Sequence, residues 1–240
     1  MASSTPGTPE DAGSPVGRRV VLGIVGLGAV GVAVGSVLQR GVDKVLAHAP
    51  SGVTDFIPAA GGFRYYSVVD SVHNIHPDQY TLTVSGLVDR PLKLSYADLG
   101  HLPQTRVVRD FQCVTGWRVY SVPWSGVSLH RVLDAAGVRP TAKAVRFTSF
   151  DGTYTESLTL DQARRPDILV ATRMYDKPVT HAHGGPVRLY VAPMYGYKSC
   201  KWLGGIQVVD RVEPGYWENL GYDVDAWVGK SNGRDDERTS

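Results

Sequence analysis

The chain has 240 residues, 42% hydrophobic and 20% charged, which is enough apolar material for one good core and too much for a disordered chain. Its 25 basic and 23 acidic residues leave a formal charge of +2 and are spread without blocks, so neither a basic nucleic-acid face nor an acidic partner-binding tail is indicated. Two cysteines, Cys113 and Cys200, are too few for a disulfide scaffold; they allow one bridge, or one or two thiols with a task.

Residues 1–17 are rich in Ser, Thr, Pro and Gly and bury too little apolar surface to offset the entropy of ordering. Arg18 and Arg19 follow, and then Val20 to Leu38 run without a charge. As a helix this run would reach roughly 28 Å, close to the hydrocarbon thickness of a bilayer. It contains Gly26, Gly28 and Gly31 at the G-x-G-x-x-G spacing, but no buried strand precedes the triplet and no second strand follows at βαβ distance, so a dinucleotide turn is not indicated. Arg18-Arg19-Val20-Val21-Leu22 with its glycine-rich apolar core resembles a twin-arginine export signal. Ala47-His48-Ala49 offers a small-x-small cleavage site, and without cleavage the segment would be a single N-terminal membrane anchor. The expected organisation is therefore a disordered region with signal or anchor at 1–49, a folded domain at 50–230 working outside the cytoplasm, and a solvated tail at 231–240. Export of this type usually carries proteins already folded, often around an inserted cofactor, which favours a prosthetic group.

The folded part reads as strand-rich. Residues 79–88, QYTLTVSGLV, alternate apolar and polar before a turn at Asp89-Arg90-Pro91. In LKLSYADL, Ser95 is placed to cap a short helix reaching Leu99. TRVVRDFQCV reads as a strand running into a loop around Cys113. Ser128 to Ala136 has helical spacing at Leu129, Val132 and Leu133 and stops at Gly137. Further strands are expected in AKAVRFTSF, TYTESLTL, ILVATRMY, VRLYVAP and GIQVVDRV. The pattern lacks regular βαβ alternation, so the expected class is α+β, a β-rich mixed fold with few short helices.

Two segments carry the chemistry. DFQCVTGWRVYSVPWSGVSL, residues 110–129, places a cysteine at a strand end; such a thiol is either a buried structural residue or a ligand for a soft or high-valent metal. HGGPVRLYVAPMYGYKSCKWLGGIQVVD, residues 183–210, sets His183, Arg188, Lys198 and Lys201 among glycines and aromatics. This composition suits an anion such as a phosphate, held by backbone N–H groups and charge-assisted hydrogen bonds. Cations that merely decorate surface loops would read the same way.

In this order and spacing, from about Phe63 to about Trp227, the two segments together with YTLTVSGLVDRPLKLSYADL resemble the molybdopterin domain of the sulfite oxidase family. The resemblance extends especially to its short bacterial members, among them the catalytic subunits of periplasmic methionine sulfoxide reductases. It implies a fold of that type and a molybdenum centre bound by one molybdopterin dithiolene and one protein thiolate, with Cys113 at the thiolate position. It further implies pterin and phosphate contacts from His183, Arg188, Ser199 and Lys201, weaker matches at Arg64 and Thr148, and a substrate-facing wall including Tyr66 and Trp117. The implied activity is oxygen-atom transfer, with reduction of a sulfoxide or another S- or N-oxide favoured over sulfite oxidation. Arg118 does not stand at the spacing typical of sulfite oxidases, and too little chain follows Asp210 for their dimerisation domain. The substrate would be a small-molecule or protein-bound oxide, and electrons would pass to or from a separate partner such as a membrane haem protein. The competing expectation is a cofactor-free binding protein of the same fold with Cys113 and Cys200 joined in a disulfide.

Overall fold

A computed structural model of the chain describes residues 15–16, 63, 65–66, 68 and 73–230. The chain divides into two compact units, Met1–Ser71 and Val72–Ser240. In the first, β1 (Pro15–Val16) and β2 (Tyr65–Tyr66) pair in parallel. The paired arginines, the apolar run, the expected boundary near residue 50 and the tail lie outside the described residues. No helix among the described residues is long and apolar enough to cross a membrane.

The second unit is built from two five-stranded sheets. One runs in the order β10 (Lys177–Pro178), β9 (Ile168–Met174), β6 (Arg118–Ser128), β5 (Gln104–Gln112), with β11 (Arg188–Val191) also paired to β9; all its pairs are antiparallel. The other runs β4 (Leu92–Ser95), β3 (Thr81–Gly86), β12 (Leu203–Val209), β7 (Ala144–Ser149), β8 (Thr155–Thr159), with β3 and β12 parallel. The helices are short: α1 (Tyr96–His101), α2 (Leu129–Ala136) and α3 (Leu160–Ala163).

Side-chain alternation explains which faces are covered. In β3 the buried positions are Leu82 and Val84, so one face enters the core and the other stays polar. β9 and β11 carry buried residues at nearly every position, as expected of strands covered on both faces. Leu82, Val84, Val127, Phe147, Val170, Leu189, Leu203 and Ile206 from the two sheets belong to one core cluster, joined by Leu129, Val132, Leu133 and Ala136 of α2. α2 begins after Ser128 and ends on Gly137 in the left-handed conformation. The Ser128 hydroxyl makes no cap bond; it donates instead to Thr105 Oγ1 at 2.9 Å. Ser95 does cap α1, in a reciprocal box with Asp98.

The strands and helices expected between residues 79 and 210 are all present, and the β-rich α+β class holds, while the N-terminal signal or anchor helix lies outside the described residues. One long element was not anticipated: β6, eleven residues, runs straight through the Pro123-containing stretch. A proline has no N–H for a ladder, yet here it sits opposite Val108 of β5, just before pairing with β9 begins at Trp124. Truncating the core should be felt across both layers. Leu133→Ala, at a fully buried site, is expected to lower unfolding free energy by about 3 kcal/mol, measured as a shift in the urea midpoint at unchanged m-value.

Candidate active site

β5 and β6 form a hairpin whose last register pair is Gln112 with Arg118. The five residues between them close on themselves: Cys113 N donates to Trp117 O at 2.9 Å and Gly116 N to Cys113 O at 3.0 Å. Cys113 thus stands at the tip of a sheet, half-buried, with Thr115 Oγ1 donating to its Sγ at 3.2 Å. Trp117 folds back so that its ring stacks on Phe111, centroids 5.8 Å apart.

The second component is the chain around β11. Arg188 is 2% exposed and spreads its guanidinium over three carbonyls: Nη1 donates to His183 O at 2.7 Å, Nη2 to Ser199 O at 3.0 Å and Nε to Leu189 O at 3.3 Å. One side chain therefore ties the 183–188 loop to the 199–201 loop. The same guanidinium lies 5.6 Å from the Phe111 ring and 5.2 Å from that of Trp124, which itself stacks on Tyr190 at 4.6 Å. Through Phe111 the Cys113 hairpin joins the same cluster. Burial pushes the Arg188 guanidinium down to about 10, so it remains charged at neutral pH. No carboxylate pairs with it among the described residues.

Backbone approach completes the arrangement. Gly184 has φ +92°, and a Cβ there would lie 2.6 Å from the Lys201 stem. Likewise a Cβ on Gly196 would meet the Phe111 ring at 2.6 Å, so the turn before Ser199 reaches the hairpin only because residue 196 has none. Lys201 Nζ donates to Ala182 O at 2.9 Å and lies 5.3 Å from the Trp202 ring. Burial, with the Arg188 guanidinium adding to it, pushes the Lys201 ammonium down to about 7. Ser199 is buried and its Oγ accepts from Val191 N at 3.0 Å.

His183, Arg188, Ser199, Lys201, Cys113 and Trp117 are thus joined by direct contacts or through Arg188 and Phe111. Thr148 lies on β7 opposite Gly205, just past the 199–202 stretch on β12. Arg64 is outside the described residues, and Tyr66 lies in β2 of the first unit. Phe111, Trp124 and Tyr190, which support Arg188, were not singled out in the sequence, which offers no local signal joining them. Cys113 and Cys200 are not joined in the disulfide of the competing reading. Cys200 is fully buried, and burial raises its thiol far above the ordinary range, so it stays protonated.

A half-buried thiol, linked through Trp117 and Phe111 to a buried arginine, and a lysine form a donor set suited to a soft metal and a bound anion. The comparisons agree. Residues 69–217 match the family described as the oxidoreductase molybdopterin binding domain. The chain belongs to that family; it is a molybdopterin-dependent oxidoreductase of the sulfite oxidase type. An uncharacterized oxidoreductase of Bacillus subtilis, YuiH, is 36% identical over 62% of this chain and 76% of its own length. The protein-methionine-sulfoxide reductase catalytic subunit MsrP of Campylobacter jejuni is 30% identical over 63% of this chain and 56% of its own. Sulfite oxidase of Arabidopsis thaliana is 30% identical over 61% of this chain and 46% of its own length, so the chain spans about half of these two relatives. The sulfane dehydrogenase SoxCD of Paracoccus pantotrophus shares the fold, with a TM-score of 0.55 at 23% identity over 58% of this chain and 40% of that one.

Lys201 gives the site a pH signature. Its folded pKa lies below the unfolded value of 10.5, so between pH 7 and pH 10 the unfolded chain holds more protons and stability rises with pH. The cofactor-free protein is expected to gain on the order of 1 kcal/mol from this residue between pH 7 and pH 9, allowing for its partial exposure. Denaturation curves of wild type and Lys201→Met at the two pH values check this: the gain should be absent from the variant.

Proposed function

We propose that the chain is an exported oxidoreductase that uses bound molybdopterin to reduce a sulfoxide or another S- or N-oxide, with Cys113 as the protein ligand to molybdenum. The observation that carries this reading is the position of Cys113: a half-buried thiol at the tip of a hairpin, joined through Phe111 to a buried arginine that no carboxylate neutralises. When bound, the molybdenum centre supplies two-electron oxygen-atom transfer.

The protein residues have separate tasks in this proposal. Cys113 holds the metal, and the Thr115 hydroxyl, which donates to its sulfur, restrains the side chain. Three of the five Arg188 N–H groups are engaged by carbonyls, which fixes the loops bearing His183 and Ser199, and its charge sets the positive potential for the phosphate. Lys201 supplies a charge-assisted contact, and an anion there draws a proton back onto an ammonium that burial has weakened. Trp117, 9% exposed, forms an apolar flank beside the thiol. Thr148 and Arg64 are assigned to the pterin side and Tyr66 to the substrate side by the sequence resemblance alone.

Reduction of an oxide is favoured over sulfite oxidation by what Arg118 does. Its Nε donates to Gln112 Oε1 at 2.7 Å and its Nη1 lies 3.7 Å from Asp110 Oδ2, so the arginine that closes the Cys113 hairpin is tied to an acid and an amide. A sulfite dianion would have to compete for it, whereas a neutral sulfoxide would not. The paired arginines at 18 and 19 support an extracytoplasmic location, with the folded domain beginning near residue 50. A separate electron-transfer protein, such as a membrane haem protein, would be the reductant.

The test is expression of the full chain in a host that makes molybdopterin. The purified protein is expected to carry about one molybdenum per chain and to oxidise reduced viologen when given methionine sulfoxide or dimethyl sulfoxide. Cys113→Ala should lower that turnover by more than about a hundredfold, since even residues that only support a metal ligand contribute 10- to 100-fold. Full turnover in this variant, or a metal-free wild type, would contradict the assignment.

A further inference from the structure

Lys198 closes the 3-10 turn Gly196–Lys198 and is followed at once by Ser199, Cys200 and Lys201. Its side chain is wholly buried and enters a cluster with two carboxyl groups. The ammonium donates to Oε1 of Glu156 on β8 and, at 2.7 Å, to Oε1 of Glu218, which opens the 3-10 turn Glu218–Leu220. Both carboxyl groups are as buried as the lysine, and Oε2 of each has no hydrogen-bond donor.

Two carboxylates and one ammonium leave a net negative charge where water does not reach, an arrangement that buried ion clusters do not tolerate. Desolvation holds Glu156 well above the usual carboxylate range against the pull of Lys198, and the neighbouring Glu218 carboxyl adds to the rise. A proton on Glu156 therefore makes the cluster neutral and supplies one of the missing donors. Loss of the Glu218 carboxylate can be absorbed in turn: Glu156 releases its proton and pairs with Lys198.

The cluster lies where residues 214–228 meet the 192–198 loop. Tyr216 N donates to Thr155 O at 2.9 Å, Tyr197 Oη to Asp223 O at 2.7 Å, Tyr195 N to Ala226 O at 2.9 Å and Val228 N to Pro193 O at 3.2 Å. These bonds hold the segment without Glu218. The Lys198 ammonium, by contrast, has only Glu156 and Glu218 as hydrogen-bonding partners among the described residues.

We propose that Glu218 is a positioning residue for the cofactor: through Lys198 it latches segment 214–228 onto the turn that presents Ser199 and Lys201. This inference rests on the cofactor reading above. Without Glu218, Lys198 is drawn to Glu156 alone, and Ser199 and Lys201 move with it. An amide at position 218 keeps an oxygen for the ammonium and keeps the latch.

The experiment uses the full chain from a molybdopterin-producing host. Pterin is measured as its fluorescent oxidation product, and the one-electron-reduced metal by electron paramagnetic resonance. Glu218→Ala is expected to remain folded, to carry about tenfold less pterin and to show an altered resonance signal in the loaded fraction, whereas Glu218→Gln matches wild type in both. Glu218→Asp, which keeps the charge but shortens the reach, serves if the alanine variant does not fold; its signal should be shifted. Wild-type pterin content and an unshifted signal in Glu218→Ala, or an unshifted signal in Glu218→Asp, would overturn the latch. A pterin-free wild-type chain would instead overturn the cofactor reading.

Discussion

The second unit depends at its functional end on one buried cation. Arg188 sits in a strand covered on both faces and satisfies carbonyls from the loops before and after that strand. The planar guanidinium suits this task because it offers several donors in fixed directions and can stack on aromatic rings at the same time; an ammonium could not span the same carbonyls. Burying that charge without an acid is costly. The aromatic faces of Phe111 and Trp124 and the three carbonyl oxygens offset part of the cost. What is left is a positive potential at the place where the hairpin tip, the 183–188 loop and the 199–201 loop converge.

The remaining features arrange themselves around this potential. Lys201 is weakened as an acid–base group by the same burial and by Arg188, so its charge is held most firmly when an anion is present. Cys200, between Ser199 and Lys201, is kept as a neutral thiol, which leaves Cys113 as the sulfur available to a metal. In the same stretch, Lys198 meets its carboxyl partners. Consecutive residues of one short stretch therefore serve two environments, one turned toward the site and one toward the C-terminal segment. The oxidoreductase class follows from the family match.

Much of this was legible in the sequence because the signals are local. Period-two alternation marked β3 and β7, a Ser-to-Asp cap marked α1, and helical spacing ending in glycine marked α2. Cys113, His183, Arg188, Ser199 and Lys201 were accessible through ordered motifs. β6 was missed because Pro123 and the nearby Ser and Gly residues carry turn chemistry, and only pairing with β5 and β9 overrides it. The aromatic support of Arg188 and the Glu156–Lys198–Glu218 cluster were not legible, since each joins residues tens of positions apart with no shared periodicity. The three carbonyl bonds of Arg188 were likewise not legible, since they depend on how the loops on either side of its strand fold back.

The central claim is that the Cys113 hairpin and the loops tied together by Arg188 form one metal-holding site. Molybdenum-edge X-ray absorption on the purified full chain and on Cys113→Ser tests it most directly. The account predicts a sulfur neighbour of the metal in the wild type, beyond those of the pterin, that is replaced by a lighter atom in the variant. An unchanged sulfur shell in the variant would contradict it.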